Sequence, residues 1–505
     1  MTTAQDIKIS LPGLSEDAVH ADRVQGREAM NEPYSFDVDV ISPRALDLQA
    51  MIGKSAALTV RILEESLPVK GIVLAAFGLD ATRNREFCYR LRIGPRLSLM
   101  ALSGQNQVYG TDRDMTVIEI LEAELNDAVK TGSRTGGARV ARRIPFQMLA
   151  QGQYPKLDFV LQYRESDLDF LSRLCEKFGI FYRFEHKDEG EEIVLCDRNV
   201  HFTRLSGQNL DEELAYRSAE QLASTGDFAI RSFNAQWQVQ PSRIELREYN
   251  DETPSVDLSI SASAPFDGQG VRVFYGENYP DTQVGQMLAK LRTELMAAER
   301  LTFVGRSNVP LLRPGVFFRL ADHPDSALDT TYVVTEVTHR ITEPTPLGFS
   351  SADKIAEPYT NEFRCIPMDT PYRPGLKTPR PVVHGVLHAL VDGPEDATRA
   401  VVDAQGRYRL RLLDDESGLT GGNASHLVRK LEPYGGGDGY GSHSTLLVGT
   451  EIMLTFVHGD PDRPIILGAM SNAEKTNPVL DANASVAHRM RTASGIIFEF
   501  NDGGF

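Results

Sequence analysis

The sequence predicts a mainly β protein with an α+β insert at its centre and a small OB-like barrel towards its C-terminal end. Three observations predict it. Short alternating apolar and polar runs, broken by Gly and Pro, flank the middle of the chain; a strand, helix, strand unit lies between Lys156 and His186; and five short strand-like runs with Gly-rich turns follow a proline-rich connector.

From Ala21 to about Pro95 the runs YSFDVDV, AALTVRI and VKGIVLAAF alternate with period two, as an antiparallel sheet or small barrel requires. TDRDMTVIEILEAEL then offers Thr116 as a helix cap, Glu119 three residues on, and Val117, Ile118, Leu121 and Leu125 at helical spacing. Leu157 to Tyr163 alternates as a strand. Ser166 caps a helix carrying Leu168, Leu171, Leu174, Cys175 and Phe178 on one face, Gly179 supplies a left-handed stop, and Ile180 to Phe184 reads as the next strand. The carboxylates Glu165, Asp167, Asp169 and Glu176 are read as solvated charges favoured by the helix dipole, not as catalysts. Strand-like alternation returns from about Phe228 to Glu277. Asp281 to Arg300 is a helix with Val284, Leu288, Leu291 and Leu295 inward, and further β segments run on to NEFRCIPMD. CYRLRIGP at Cys88 and NEFRCIP at Asn361 share a loose pattern that hints at duplication.

DTPYRPGLKTPRP, Asp369 to Pro381, is a stiff, extended connector. After it, VVHGVLHALV, RYRLRLLD, HLVRKLEPY, STLLVGTEIMLTFV and PIILGAM have the count and spacing of an OB-like barrel. Ile452, Leu454 and Phe456 form one apolar face. The chain then reverses over Gly459, Asp460, Pro461, Asp462, Arg463 and Pro464, the structural turn motif of this module. Both prolines sit where no ladder donor is wanted, and the Asp460 carboxylate can accept from a backbone amide ahead of it. Asp460, Asp462 and Arg463 are expected to hold the end of the barrel, with Arg463 as a bidentate donor to a carboxylate.

Little in the sequence carries catalytic or cofactor chemistry. His458, Asp460 and Asp462 lack a second His or Cys nearby; His384 and His388 lie about 13 Å apart on a strand and cannot share an ion. YGGGDGYG lacks the Lys-Ser/Thr of a phosphate loop and reads as a flexible connection, and no G-x-S-x-G elbow occurs. No metal, cofactor or catalytic residue is assigned. Cys88, Cys175, Cys196 and Cys365 are too far apart for a knuckle and are expected to be reduced core thiols. A formal net charge of -17 opposes nucleic acid as a partner. The basic cluster Arg134, Arg139, Arg142 and Arg143 has no interleaved aromatics and is read as a solvated loop. MTTAQDIKISLPG lacks a secretory pattern, and no stretch approaches the roughly 20 apolar residues of a membrane span, so the chain is expected to be made soluble in the cytoplasm.

FVLQYRESDLDFLSRLCEKFGIFYRFEH, LRPGVFFRLADHP with TYVVTEVTHR, FRCIPMDTPYRP and GDPDRPIILGAM together resemble the VgrG family, the tip proteins of bacterial type VI secretion systems, and are similar to the hub and spike of contractile phage tails. The resemblance implies two related hub β-barrels per chain, giving pseudo-six-fold symmetry in a homotrimer on a hexameric tube protein. The organisation expected is a first hub β-barrel at 1–105, an α/β insert at 106–225, a second hub β-barrel at 226–370, a proline-rich linker at 371–381, the OB-like barrel at 382–478 and the start of a spike β-helix at 479–505. The last segment, ASGIIFEFNDGGF, resembles the beginning of that β-helix without its repetitive body and is read as a truncation, with no room after the OB-like module for an effector domain. The chain departs from the family in having a single tryptophan, Trp237, in the hub, where relatives often carry a Trp-rich segment in the OB module.

The resemblance implies a non-enzymatic puncturing tip that carries effectors, with the baseplate, tube protein, a conical spike-cap protein and effectors or adaptors as partners. Such a protein leaves the cytoplasm without a signal peptide, for the extracellular space or a target cell. The rival readings are a tail-spike-borne cell-wall hydrolase, the hub of a phage or extracellular injection particle, and an OB-type binder of nucleic acid or glycan.

Overall fold

The computed structural model describes residues 5–15, 18–80, 86–111, 114–127, 143–217, 227–342, 359–437, 439–478 and 486–503. Of the basic cluster, Arg134, Arg139 and Arg142 lie outside the described residues, and Arg143 is exposed, its guanidinium 5.2 Å from the Phe146 ring.

The chain is mainly β with few helices. Its largest element is a continuous 13-stranded sheet. One part runs through Gln5–Ser10, Ser55–Ile62, Glu65–Leu79, Phe87–Gly94, Glu32–Ser42 and His20–Ala29; the other continues through Thr331–Thr342, Tyr359–Pro367, Leu301–Ser307 and Ile230–Trp237. The seam is the antiparallel pairing of His20–Ala29 with Thr331–Thr342, from Arg23 opposite Thr342 to Ala29 opposite Glu336. The two β-rich regions on either side of the insert therefore share one hydrogen-bonded sheet. Each packs its own core, around Phe36, Val38 and Leu58 on one side and Phe318, Val337 and Phe363 on the other.

Period-two patterning explains the strands locally. In Glu32–Ser42, Tyr34, Phe36, Val38 and Val40 are all buried, while Asp37 and Asp39 face the other way. Their cross-strand partners on Phe87–Gly94 are Arg92 and Arg90, and each guanidinium grips its aspartate at two points, at 2.8 and 3.0 Å for Arg92 and 2.6 and 2.9 Å for Arg90. Gly26 lies opposite Phe36, whose ring would stand 2.2 Å from an added Cβ, so any larger residue there displaces the ring.

A buried charge cluster crosses the seam. Glu28 accepts from Arg313 at 2.7 Å and lies 3.1 Å from His339 Nε2; Arg313 also donates to the Pro68 carbonyl, and His339 Nδ1 is 2.8 Å from the Tyr359 hydroxyl. Burial by itself would push the Glu28 carboxyl up, but Arg313 and His339 hold it well below the usual range. Nearby, the Lys70 amide donates to His186 Nδ1 at 2.9 Å. Burial, with Arg313 adding to it, pushes the His186 imidazole down to about 3.

Three helices serve the centre of the chain. Helix α1, Val117–Asn126, carries a capping box in which the Thr116 side chain accepts from the Glu119 amide and the Glu119 carboxylate accepts from the Thr116 amide. Helix α2, Asp167–Phe178, is capped by Ser166 and stopped by Gly179 at φ 68°. Helix α3, Thr282–Arg300, is capped by Asp281. They share one core with the three-stranded sheet of Arg243–Arg247, Ile260–Ser263 and Val271–Tyr275, so Ile244, Leu246 and Leu258 pack with Leu121 and Leu171 across the 225/226 division.

The α2 carboxylates correct the solvated reading. Only Asp169 is exposed. Asp167 is fully buried and accepts from Ser103 and Gln162; Glu165 makes a buried pair with Arg173; and Glu176 accepts from the Thr378 amide and hydroxyl. Solvation therefore does not hold Glu165, Asp167 and Glu176; hydrogen bonds and ion pairs from other residues do. All four cysteines are buried free thiols. Burial pushes those of Cys175, Cys196 and Cys365 up, Cys196 to about 12.

In the C-terminal module Leu410–Leu412, Leu387–Val391, Glu451–Phe456 and Pro464–Ala469 form a four-stranded antiparallel sheet. The expected strand HLVRKLEPY contributes only bridges, Val428 to Tyr408 and Lys430 to Ile466, which connect the two edges of that sheet. The start of STLLVGTEIMLTFV is not a strand either, because Gly449 at φ +78° turns the chain just before Glu451. A last hairpin, Ala487–Arg491 with Ile497–Asn501, exposes most of its side chains.

His186 yields a pH dependence. Between its folded value and its unfolded value of about 6.5, the imidazole is protonated only in the unfolded state, so its contribution is constant above about pH 6.5 and lowers stability as pH drops towards about 3. The carboxamide of His186→Asn can replace Nδ1 as acceptor without titrating. Denaturation at stepped pH should show the variant's stability falling less steeply than wild type across that window, by up to about 1.4 kcal/mol per pH unit.

Candidate functional site

The stretch His458–Pro464 sits at the junction of the C-terminal module with the rest of the chain. His458, at φ 55°, and Gly459, at φ +75°, are both left-handed, and a Cβ at Gly459 would stand 2.6 Å from Val382 Cγ1, so the position requires glycine. The Asp460 amide donates to Val457 O, the Arg463 amide to Asp460 O and the Val457 amide to Arg463 O, closing a compact reversal between Phe456 and its cross-strand partner Pro464. Pro461 is buried, and Pro464 opens a strand, where its missing donor costs nothing.

Asp460 and Asp462 are both 8% exposed. Asp460 Oδ1 accepts from the Asp462 amide at 3.1 Å, and its Oδ2 accepts from Arg380 of the proline-rich connector at 2.6 Å. Burial, then the neighbouring Asp462, push the Asp460 carboxyl up against the pull of Arg380 and Lys177. Asp462 Oδ1 accepts from the Leu161 amide at 2.8 Å, a bond spanning 301 residues. Arg463 donates one nitrogen to the Glu248 carboxylate at 2.6 Å and the other to the Tyr249 carbonyl at 3.0 Å. Its fork is split between a side chain and the backbone, in place of two bonds to one carboxylate, and its partner lies in the same chain.

These contacts belong to a wider seam. Arg429 pairs with Asp251 and Arg407 with Glu252, at 2.9 and 2.7 Å; Asn106 donates to Asp414 at 2.6 Å; and Arg409 donates to the Thr111 carbonyl at 3.1 Å. Beneath the charges the two parts share a core. Val108, Phe159, Leu161 and Tyr163 pack with Ala389, Tyr408, Leu410, Ile452, Leu454 and Ile466. Leu157–Tyr163 resolves into two short pieces: Lys156–Leu157 pairs with Met115–Thr116, and Val160–Gln162 with Gln107–Tyr109. Phe159, Leu161 and Tyr163 point into the C-terminal module while Val160 points into the central core. Unbroken apolar runs mark strands buried on both faces, so the adjacent Phe159, Val160 and Leu161 carried that signal in the sequence. Arg380 and Glu248 carried none.

The connector is strapped down along its length. Tyr372 packs edge-on to Phe181, with centroids 5.1 Å apart; Arg373 donates to Glu294 and to the carbonyls of Gly179 and Asp197; Thr378 bonds Glu176. His388 pairs with Glu451 at 2.9 Å, and no group of three or more potential metal ligands occurs among the described residues. Gly435–Gly437 and Tyr440–Gly441, within YGGGDGYG, pair as a small exposed ladder. No helix among the described residues is long and apolar enough to cross a membrane.

One continuous sheet and a small β module docked beside it through a shared core thus make up most of the chain. The chain belongs to the phage tail baseplate hub (GPD) family, matched over residues 27–345. It is similar to the type VI secretion system spike proteins VgrG5 and VgrG4b of Pseudomonas aeruginosa, 29% identical over 466 and 482 residues, which cover 90% and 93% of this chain and 56% of each relative. It is also 27% identical over 487 residues to the actin cross-linking toxin VgrG1 of Vibrio cholerae, covering 93% of this chain and 42% of that protein. The chain thus spans about half the length of the curated relatives it matches. Among solved structures it shares its fold with a type VI secretion component of Escherichia coli described as similar to the phage T4 tail proteins gp27 and gp5. That likeness has a TM-score of 0.63 at 24% identity and covers 92% of this chain and 100% of the other. It also shares its fold with a chain of the Francisella PdpA-VgrG complex, with a TM-score of 0.61 at 7% identity, covering 99% and 76%.

Asp462 tests the docking. Asp462→Ala strands the Leu161 amide in the interior and should lower stability in chemical denaturation by roughly 1 to 3 kcal/mol. Asp462→Asn keeps an acceptor and should lose less.

Proposed function

We propose that this chain is the structural hub and spike of a contractile injection machine of the type VI secretion kind, and that it works as a homotrimer without catalysis of its own. The observation that carries this reading is the similarity to type VI spike proteins, which runs through hub and C-terminal module alike. The two cores of the hub correspond in this reading to two β-barrels at 1–105 and 226–370, so three chains present six barrels to a hexameric tube protein. The module at 382–478 is an OB-like barrel, supported by the two bridges that connect its sheet edges.

The last hairpin supports a spike. Met490, Ile496, Ile497, Phe498 and Phe500 are 54 to 70% exposed, an apolar surface that a soluble chain keeps only where another chain covers it. Here it is the start of a three-stranded β-helix, built jointly by three copies and topped by a conical cap protein. The protein is assembled on the baseplate in the cytoplasm and leaves with the tube. It carries effectors or adaptors and punctures the target membrane. The turn Gly459–Pro464 and its partners transmit thrust by keeping the module fixed on the hub. The family itself favours a second reading, the hub of a phage tail or extracellular injection particle.

Light scattering on the purified chain tests the proposal. It predicts a particle of about 168 kDa, three chains of 55.9 kDa, with rings or tapered particles in electron micrographs. Material that stays single-chain at high concentration, with no such particle, contradicts it.

A further inference from the structure

A cavity of about 370 Å3 opens where α2, α3, the connector and the Gly459–Pro464 turn meet. That is within the range of small-molecule sites. The arginines on its wall are already engaged: Arg173 by Glu165, Arg292 by Glu277, Arg380 by Asp460, Arg407 by Glu252, Arg429 by Asp251 and Arg463 by Glu248. Lys177, at the end of α2, lines the same wall and differs from them. Its ammonium makes no hydrogen bond or ion pair among the described residues and lies 5.4 Å from the centroid of the Phe178 ring.

Burial pulls the Lys177 amine down, Arg380 adds to the pull, and Glu277, Asp462 and Asp460 oppose it. Each of those carboxylates already accepts a hydrogen bond from another group, Glu277 from Arg292, Asp462 from the Leu161 amide and Asp460 from Arg380. Arg292, 4% exposed, has a second unmet need: its buried Nε lacks an acceptor. The pocket therefore offers two donors that no acceptor among the described residues meets, the partly exposed Lys177 ammonium and the buried Arg292 Nε, and an unmet buried donor such as the second is costly.

We propose that this cavity binds a small organic anion, its carboxylate or phosphate headgroup on Lys177 and its body against Phe178 and Leu376. Lysine suits either headgroup, acting as a point charge. A ligand seated there touches helix, connector and turn together, and so stabilises the docked arrangement by mass action.

Isothermal titration calorimetry on the full chain in its assembled state tests this, with glutarate and inorganic phosphate as separate probes and chloride at matched ionic strength as the reference. Saturable binding of at least one probe, one site per chain, is expected, and which probe binds identifies the headgroup. Lys177→Met keeps the apolar stem and should weaken binding at least tenfold, while Lys187→Met, at an exposed lysine paired with Glu192, should not change it. Should the methionine variant fail to fold, Lys177→Gln is read in the same way. No saturable binding of either probe to the wild-type chain, or unchanged affinity in the folded Lys177 variant, overturns the proposal.

Discussion

One short strand holds this architecture together. Residues 159–163 lie between two cores, with Val160 facing the helices of the insert and Phe159, Leu161 and Tyr163 completing the interior of the C-terminal module. A strand used on both faces cannot shift by one residue without exchanging its two sets of side chains, so its register fixes the module against the hub. The Leu161 amide is bound by Asp462 from the module side, and the same turn reaches Arg380 in the connector and Glu248, just past the strand Arg243–Arg247. Apolar burial supplies attraction at this junction, and the hydrogen bonds specify one orientation.

The charges around the turn make sense in that light. Exposed ion pairs contribute little, and several on the hub surface belong to that class. The pair at the turn is more deeply placed: Arg463 and Glu248 have side chains 14% and 4% exposed. Removing one partner of such a pair leaves the other stranded, so the pairs resist displacement even where they add modestly to stability. The seam of the hub uses the same device, with Glu28, Arg313 and His339 tying strands from opposite ends of the chain. Shared cores with interior polar clasps hold the hub and the module together.

What the sequence made legible follows the range of the interactions. Thr116 with Glu119, Ser166 with Asp169, and the left-handed Gly179 act within four residues, and they stand in the structure as read. The alternation of Tyr34, Phe36, Val38 and Val40 likewise showed its buried face directly. The reversal itself could be read from Gly459 and its prolines, because turn chemistry is local. Its partners could not: Leu161 and Glu248 lie 301 and 215 residues away, and nothing near Asp462 or Arg463 names them. The same limit explains Asp167 and Glu176, whose partners Ser103 and Thr378 lie 64 and 202 residues away and which one helix alone presents as surface charges. The seam at His20–Ala29 was invisible too, since pairing two strands some 300 residues apart leaves no periodic mark in either.

Whether hub and module form one cooperative body can be measured by amide hydrogen exchange on the wild-type chain and on Leu161→Ala, a substitution made wholly on the hub side. A shared core requires the amides of Glu451–Phe456 in the module to lose protection along with those of Val160–Gln162 in the variant. Unchanged protection of Glu451–Phe456, with exchange rising only around residue 161, would show the module to be an independent bead on a linker and contradict the account.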